Sequence, residues 1–286
     1  MTGLRRRPAA APGGRSASRP THGRTRDGIG RRRLAATPVR AGAALGLLAS
    51  ILALYGVTTA SPFAVRRIEV SPLAWTDQAT LVRWLGVDTG TNAFLLPTAA
   101  LGARVAELPT VASAEVGVSL PDAVVVHVTE RTPILAWHVA DVTFLVDRDG
   151  MLFALASAAK GDVASLPAIT DSRAASRIIL GVGARLDPVD LDAATRLASL
   201  TAADVGSRAA SLAVRITDAD GFVVTTRPGS WTAVFGPYGG VLRSPELIPG
   251  QVRLLRSLLF GREAQFARIT LADETHGTYL PLPSGR

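Results

Sequence analysis

Twenty residues from Ala41 to Ala60, AGAALGLLASILALYGVTTA, carry no charge, and the uncharged run continues from the residue after Arg40 to the residue before Arg66. As a helix rising about 1.5 Å per residue, twenty residues span the roughly 30 Å hydrocarbon core of a bilayer. A helix also gives each backbone N–H and C=O an internal partner, which lipid requires. Gly42, Gly46 and Gly56 are poor choices for a soluble helix but common in spanning ones. The competing reading is a buried helix in a soluble core. The one-sided charge around the run opposes it.

Beyond Phe63 the hydrophobic spacing alternates between strand and helix periods. Val65 to Val70 has strand character, and Thr76-Asp77 caps a helix with Leu81, Val82 and Leu85 at helical spacing. Gly86 to Thr91 is a turn and Phe94-Leu95-Leu96 an apolar plug. Thr98 opens a second helix with Leu101, Val105 and Leu108 on one face, ended by Pro109. Strands follow at Val111–Val118 and Ala123–Thr129, joined by the turn Leu120-Pro121-Asp122. Residues 63–131 thus read β-α-α-β-β, a small sheet with two helices packed on one face.

Residues 132–275 form a second unit. Short strands are expected at Ile134–His138 and Thr143–Val146, then the hairpin turn Asp147-Arg148-Asp149-Gly150 into Met151–Ala154. Ala156 to Leu166 reads as a loop. Asp187 caps a helix with Pro188 in its first turn, running to about Ala203, with Leu191, Ala194, Leu197, Ala198 and Leu200 apolar. A meander occupies Leu212–Thr217, Phe222–Thr226 and Trp231–Phe235. A helix from Gln251 to Leu259 and a last strand from Gln265 to Leu271 complete the unit. Residues 276–286 are expected to be a C-terminal tail, frayed over Pro281–Arg286. The fold class is α+β.

Charge fixes an orientation for the apolar helix. Met1 to Arg40 holds eleven of the 31 basic residues and one of the 23 acids, Asp27, so 20 bases and 22 acids remain beyond it. Arginine on one flank places residues 1–40 in the cytoplasm and the rest outside. The tail, rich in Pro, Gly, Ser and Thr and without aromatics, reads as disordered. Topology and attraction to anionic lipid account for its charge, so nucleic acid is not expected as a partner. A second reading is a cleavable export signal: Thr58-Thr59-Ala60 precedes Ser61-Pro62, and Arg31-Arg32-Arg33-Leu34 resembles a twin-arginine motif. The h-region is long for that, and a retained anchor is favoured. With no cysteine, the exported part must be stabilised by apolar cores without disulfides.

A β-α-α-β-β unit directly after a membrane anchor, with Gly90-x-Asn92-x-Phe94, resembles a POTRA domain. Together with Leu108-Pro109-x-Val111-x-x-Ala114-x-Val116, Pro121 and Glu130-Arg131-x-Pro133, it resembles the FtsQ/DivIB family of bacterial cell-division proteins. The order and spacing of these pieces carry the resemblance, strongly over Phe63 to Ala154. Two departures stand out. Ile68-Glu69-Val70-Ser71-Pro72 lacks the glycine usual after the first strand, and Gln251 stands where the family often has lysine. The resemblance implies a POTRA domain at 63–131 and an FtsQ-type β domain at 132–275. It implies a non-enzymatic, single-pass scaffold at the division septum that helps regulate septal wall synthesis, with partners resembling FtsB/DivIC and FtsL.

No catalytic constellation stands against this. His22, His127, His138 and His276 lie far apart in sequence with no metal-ligand spacing. Asp147/Asp149 and Asp218-Ala219-Asp220-Gly221 fit turns, the latter lacking the other EF-hand ligands. There is no G-x-S-x-G, P-loop or Rossmann pattern. No catalytic residue, cofactor, metal or small-molecule substrate is expected. The resemblance implies capture of a partner strand at the C-terminal edge of the sheet by β-augmentation. The matching residues are Phe266, Ala267, Arg268, Ile269, Thr270 and Leu271. Their alternation sets Phe266, Arg268 and Thr270 against Ala267, Ile269 and Leu271, one face packing inward while the backbone edge stays open. A transport component of the outer-membrane insertion kind would need a many-stranded barrel for which too little chain remains.

Overall fold

A computed structural model of the chain describes residues 38–59, 61–159, 163–239 and 243–282. The chain divides into two units between Leu52 and Ala53. The apolar run is helix α1, Pro38–Thr59, with no buried residue. It starts three residues before Ala41 and takes in Arg40. Its hydroxyls bond within the helix, Ser50 to the Gly46 carbonyl and Thr58 and Thr59 to the Tyr55 carbonyl. The basic tail over 1–37, His22 and the cleavage position Ala60 lie outside the described residues.

The first sheet is built from β1 (Arg67–Val70), α2 (Gln78–Leu85), α3 (Thr98–Ala106), β2 (Val111–Ser119) and β3 (Ala123–Glu130). Its order is β1-β3-β2, with β1 parallel and β2 antiparallel to the central β3. Local chemistry sets the ends of α2. The Asp77 carboxylate accepts from the Thr80 N–H at 2.8 Å, and Gly86 takes the left-handed conformation that glycine adopts without a Cβ clash. Leu81 and Leu85 from α2, Leu101 and Val105 from α3, and Val111, Val124 and Val126 from the strands close one core.

The expected plug at Phe94–Leu96 does not form. The Asn92 side chain accepts from the Phe94 N–H and opens a short 3-10 turn, Ala93–Leu95, that buries Ala93 and leaves Phe94 and Leu95 exposed. Three residues per turn cannot direct three consecutive side chains to one face.

The second sheet has nine strands: β4 (Leu135–Val139), β5 (Val142–Val146), β6 (Leu152–Leu155), β7 (Ala168–Asp171), β8 (Ser211–Thr217), β9 (Gly221–Arg227), β10 (Thr232–Gly236), β11 (Phe266–Leu271) and β12 (Gly277–Pro281). Their order is β12-β11-β10-β9-β8-β7-β4-β5-β6. The pairs β4/β7, β7/β8 and β10/β11 are parallel and the rest antiparallel. The helices are α4 (Ser176–Ile179), α5 (Pro188–Ala198) and α6 (Ile248–Leu259). Ala193, Ala194 and Leu197 of α5 join Ile248, Leu255 and Leu259 of α6 in one cluster with Trp137, Ile169, Val224, Phe235 and Ile269 from the sheet. Where β9 meets β10, a Cβ on Gly221 (φ +65°) would lie 2.2 Å from the Pro237 nitrogen, so only glycine fits.

Four features differ from the sequence reading. β7 and α4 fall in a stretch left unassigned. α5 stops at Ala198 instead of about Ala203, because Thr201 and Asp204 close a turn of their own, the Asp204 carboxylate accepting from the Thr201 N–H and hydroxyl. α6 begins at Ile248, since Pro249 is tolerated in a first helical turn. Residues 277–281 of the expected C-terminal tail are the strand β12, and 283–286 lie outside the described residues.

Side-chain contacts join the two sheets and brace the end of the first. The ring of Trp75 meets Phe153 edge-on at 5.7 Å. The Glu130 carboxylate accepts from the backbone N–H groups of Ala74, Trp75 and Thr76, tying the end of β3 to the approach of α2. Arg131, the next residue, pairs with the buried Asp147 in the turn after β5.

Candidate strand-pairing interface

The C-terminal edge of the second sheet is built by a hairpin. The Asp273 carboxylate accepts from the N–H groups of Thr275 and His276, both at 2.7 Å, and from the Thr275 hydroxyl. Those backbone donors, followed by the His276 ring, hold the carboxyl well below the usual carboxylate range. The turn reverses the chain, so that β12 lies antiparallel on β11 with Leu271 opposite Gly277, Thr270 opposite Thr278, Ile269 opposite Tyr279 and Arg268 opposite Leu280.

Two expectations for Phe266–Leu271 are therefore corrected. The backbone edge of this strand is not open, because β12 occupies it. Nor is the alternation regular. The register slips between Phe266 and Arg268, so Phe266, Ile269 and Leu271 all turn inward. One extra residue in a strand shifts the two-residue phase of everything before it. Ile269 is 0% exposed and belongs to the core. Arg268, on the other face, pairs with Asp220. Ala267 and Thr270 are half-buried.

The exposed edge is β12. The Ala272 N–H donates to the His276 carbonyl at 2.9 Å and the Leu282 N–H to the Gln265 carbonyl at 2.8 Å. Antiparallel pairs alternate between bonded and non-bonded, so Thr278 and Leu280 direct their N–H and C=O groups at β11. Gly277 and Tyr279 direct theirs outward, and Pro281 has only a carbonyl to offer there. Tyr279 packs its ring on Phe266, with centroids 5.0 Å apart, yet remains 56% exposed, and Leu280 is 61% exposed. The sequence signal was present in Thr278-Tyr279-Leu280, a run of good strand formers after a polar turn.

The far end of β11 is anchored from α6. Gln251, at 0% exposed, donates from Nε2 to the Leu271 carbonyl at 3.2 Å and to the Phe235 carbonyl at 3.4 Å. Its Oε1 accepts from the Tyr238 hydroxyl at 2.7 Å. Burial pushes the Tyr238 phenol up from its ordinary range. Arg243 Nη2 also donates to the Leu271 carbonyl, at 2.8 Å. A glutamine supplies the donors that a lysine would bring, together with an acceptor for Tyr238.

The carboxylates singled out in the sequence are engaged in structure. Asp147 accepts from the N–H groups of Asp149 and Met151 within its turn. Asp218 accepts from the Ala174 N–H, while Asp220 holds Arg268. His138 bonds the Thr143 hydroxyl across β4 and β5, and His276 sits beside Asp273.

Comparison with known proteins matches residues 63–131 to the model of the POTRA domain, FtsQ-type. Cell division protein FtsQ of Mycobacteroides abscessus is 38% identical over 91 residues, which cover 32% of this chain and 29% of that protein. FtsQ of Corynebacterium glutamicum is 31% identical over 108 residues, 37% of this chain and 49% of that protein. FtsQ of Mycolicibacterium smegmatis is 34% identical over 91 residues, 32% and 27% of the two chains. The matched stretches span less than half the length of these relatives. Residues 63–131, a three-stranded unit that follows an apolar helix and precedes a mixed nine-stranded sheet, thus match the FtsQ-type POTRA domain, and the chain is similar in part to three FtsQ cell-division proteins.

Proposed function

We propose that the chain is a single-pass membrane scaffold of the division machinery. It recruits partner division proteins outside the cytoplasmic membrane and acts by binding, without chemistry of its own. The carrying observation is the outer edge of β12, which ends a nine-stranded sheet with its Gly277 and Tyr279 backbone groups facing away from β11. An unpaired edge is a template for another strand. The residues Phe266 to Leu271 support that edge from beneath, Phe266 through the Tyr279 ring and Arg268 through Asp220.

In this reading the basic tail lies in the cytoplasm, α1 crosses the membrane, and both sheets lie outside. The incoming segments belong to coiled-coil partners resembling FtsB/DivIC and FtsL. Assembly at the septum then regulates septal wall synthesis.

The test uses full-length chain co-expressed with an FtsB/DivIC-type partner. Tyr279→Pro removes the outward N–H, whereas Tyr279→Ala keeps it and loses only the ring. Tyr279→Pro should lose the partner on co-purification, with Tyr279→Ala retaining most of it and both keeping wild-type circular dichroism. Undiminished capture by Tyr279→Pro refutes strand addition at this edge.

A further inference from the structure

Of the large apolar residues exposed on the first sheet's unit, Trp84, Phe94, Leu95 and Leu120, two, Phe94 and Leu95, lie where α1 ends. The Asn92 side-chain N–H₂ donates to the carbonyls of Val57, at 3.1 Å, and Thr58, at 2.7 Å. These are last-turn carbonyls, which have no partner within a helix. Ala64 bridges Asn92 antiparallel, the Val65 N–H donates to the Thr91 carbonyl, and the Gly90 N–H donates to the Val65 carbonyl. Phe63 and Phe94 flank this staple with their rings edge to face, 5.1 Å apart. Phe94 is 50% and Leu95 63% exposed. Residues 89–103 contain no charge, matching the uncharged run 41–65 that they meet at Asn92.

We infer that Phe63, Phe94 and Leu95 are a lipid-binding foot, seated in the outer headgroup layer of the bilayer that α1 crosses. This rests on the reading of α1 as a retained span. Continuity selects lipid as the occupant. The cluster is pinned to the end of a helix whose apolar side chains face lipid, with exposed Tyr55 one turn earlier. Aromatic rings concentrate at that depth, where one side is apolar and the other wet. The chemistry required is a phospholipid interface, without a specific headgroup.

The chain has no cysteine, so single labels can be placed cleanly. Full-length Leu95→Cys, Leu48→Cys and Phe260→Cys, each carrying an environment-sensitive fluorophore, are reconstituted in phosphatidylcholine/phosphatidylglycerol vesicles. Lipids spin-labelled at the headgroup or deep in the chain are the quenchers. The label at 95 should be quenched by headgroup spin labels several-fold more than the label at the exposed Phe260. Adding Asn92→Ala should lower quenching at 95 and leave 48 unchanged. If 48 is quenched by deep labels while 95 behaves like 260, the foot is refuted and the span stands. If 48 is not quenched, the span fails and the foot with it. Unchanged quenching at 95 in the Asn92→Ala protein overturns the pinning by Asn92.

Discussion

Replacing Gln251 by leucine tests how the C-terminal edge of the second sheet is held from behind. Leucine is close to glutamine in volume, so the substitution removes polar contacts without opening a large cavity. Three groups lose a partner: the Tyr238 hydroxyl, the Phe235 carbonyl and the Leu271 carbonyl. Leu271 keeps Arg243 at 2.8 Å. The Phe235 contact, at 3.4 Å, is long and contributes little. The orphaned Tyr238 hydroxyl dominates. At about 1–3 kcal/mol for one well-made buried bond, plus a smaller carbonyl contribution, Gln251→Leu should cost about 2–3 kcal/mol. For a folded part of this size that is about 5–10 °C in Tm.

Adding Tyr238→Phe removes the stranded hydroxyl, and about 1–2 kcal/mol should return, since replacing both partners by apolar groups is nearly neutral. The assay is urea unfolding of the full chain in detergent micelles, followed by emission from the buried Trp137 and Trp231. A Gln251→Leu protein within about 0.5 kcal/mol of wild type, or a double mutant whose losses simply add, refutes the reasoning.

Two further predictions concern the cores. Burial opposes ionisation of Glu130, but hydrogen bonds from the Thr76 side chain and the Ala74, Thr76 and Trp75 N–H groups outweigh it and lower its pKa from 4.5. Its stabilisation is therefore full above the ordinary glutamate pKa and lost as pH falls through the lower folded value. Glu130→Gln should cost about 1–2 kcal/mol near neutrality and flatten the acid limb of Tm against pH, so parallel curves for the two proteins would contradict this. Ile269→Ala should cost about 2–5 kcal/mol in urea unfolding. Ile269→Asp buries an unpaired charge at a fully enclosed position and should unfold the second sheet, so lost partner capture there reports stability. A folded Ile269→Asp protein by circular dichroism would show that the core tolerates the site.

What the sequence determined on its own was local. The apolar run of α1, the Asp77 and Asp187 caps, and the alternating meander of β8 to β10 depend on interactions a few residues apart. They were therefore legible without knowing the fold. The FtsQ-type resemblance was legible for a similar reason, since it rests on the spacing of a few turn and core residues.

What only the tertiary structure decided was which strands meet. β7 is four residues long and contains Asp171, a poor core residue by composition. It sits mid-sheet because Arg173, Ser176 and Trp137 all donate to its carboxylate. The slip at Ala267 and the pairing of β12 moved the exposed edge from Phe266–Leu271 to Gly277–Pro281, although both segments read as extended chain or tail. Strand edges are satisfied by backbone groups, which every residue but proline carries alike, so their partners are chosen by the three-dimensional arrangement of the sheet.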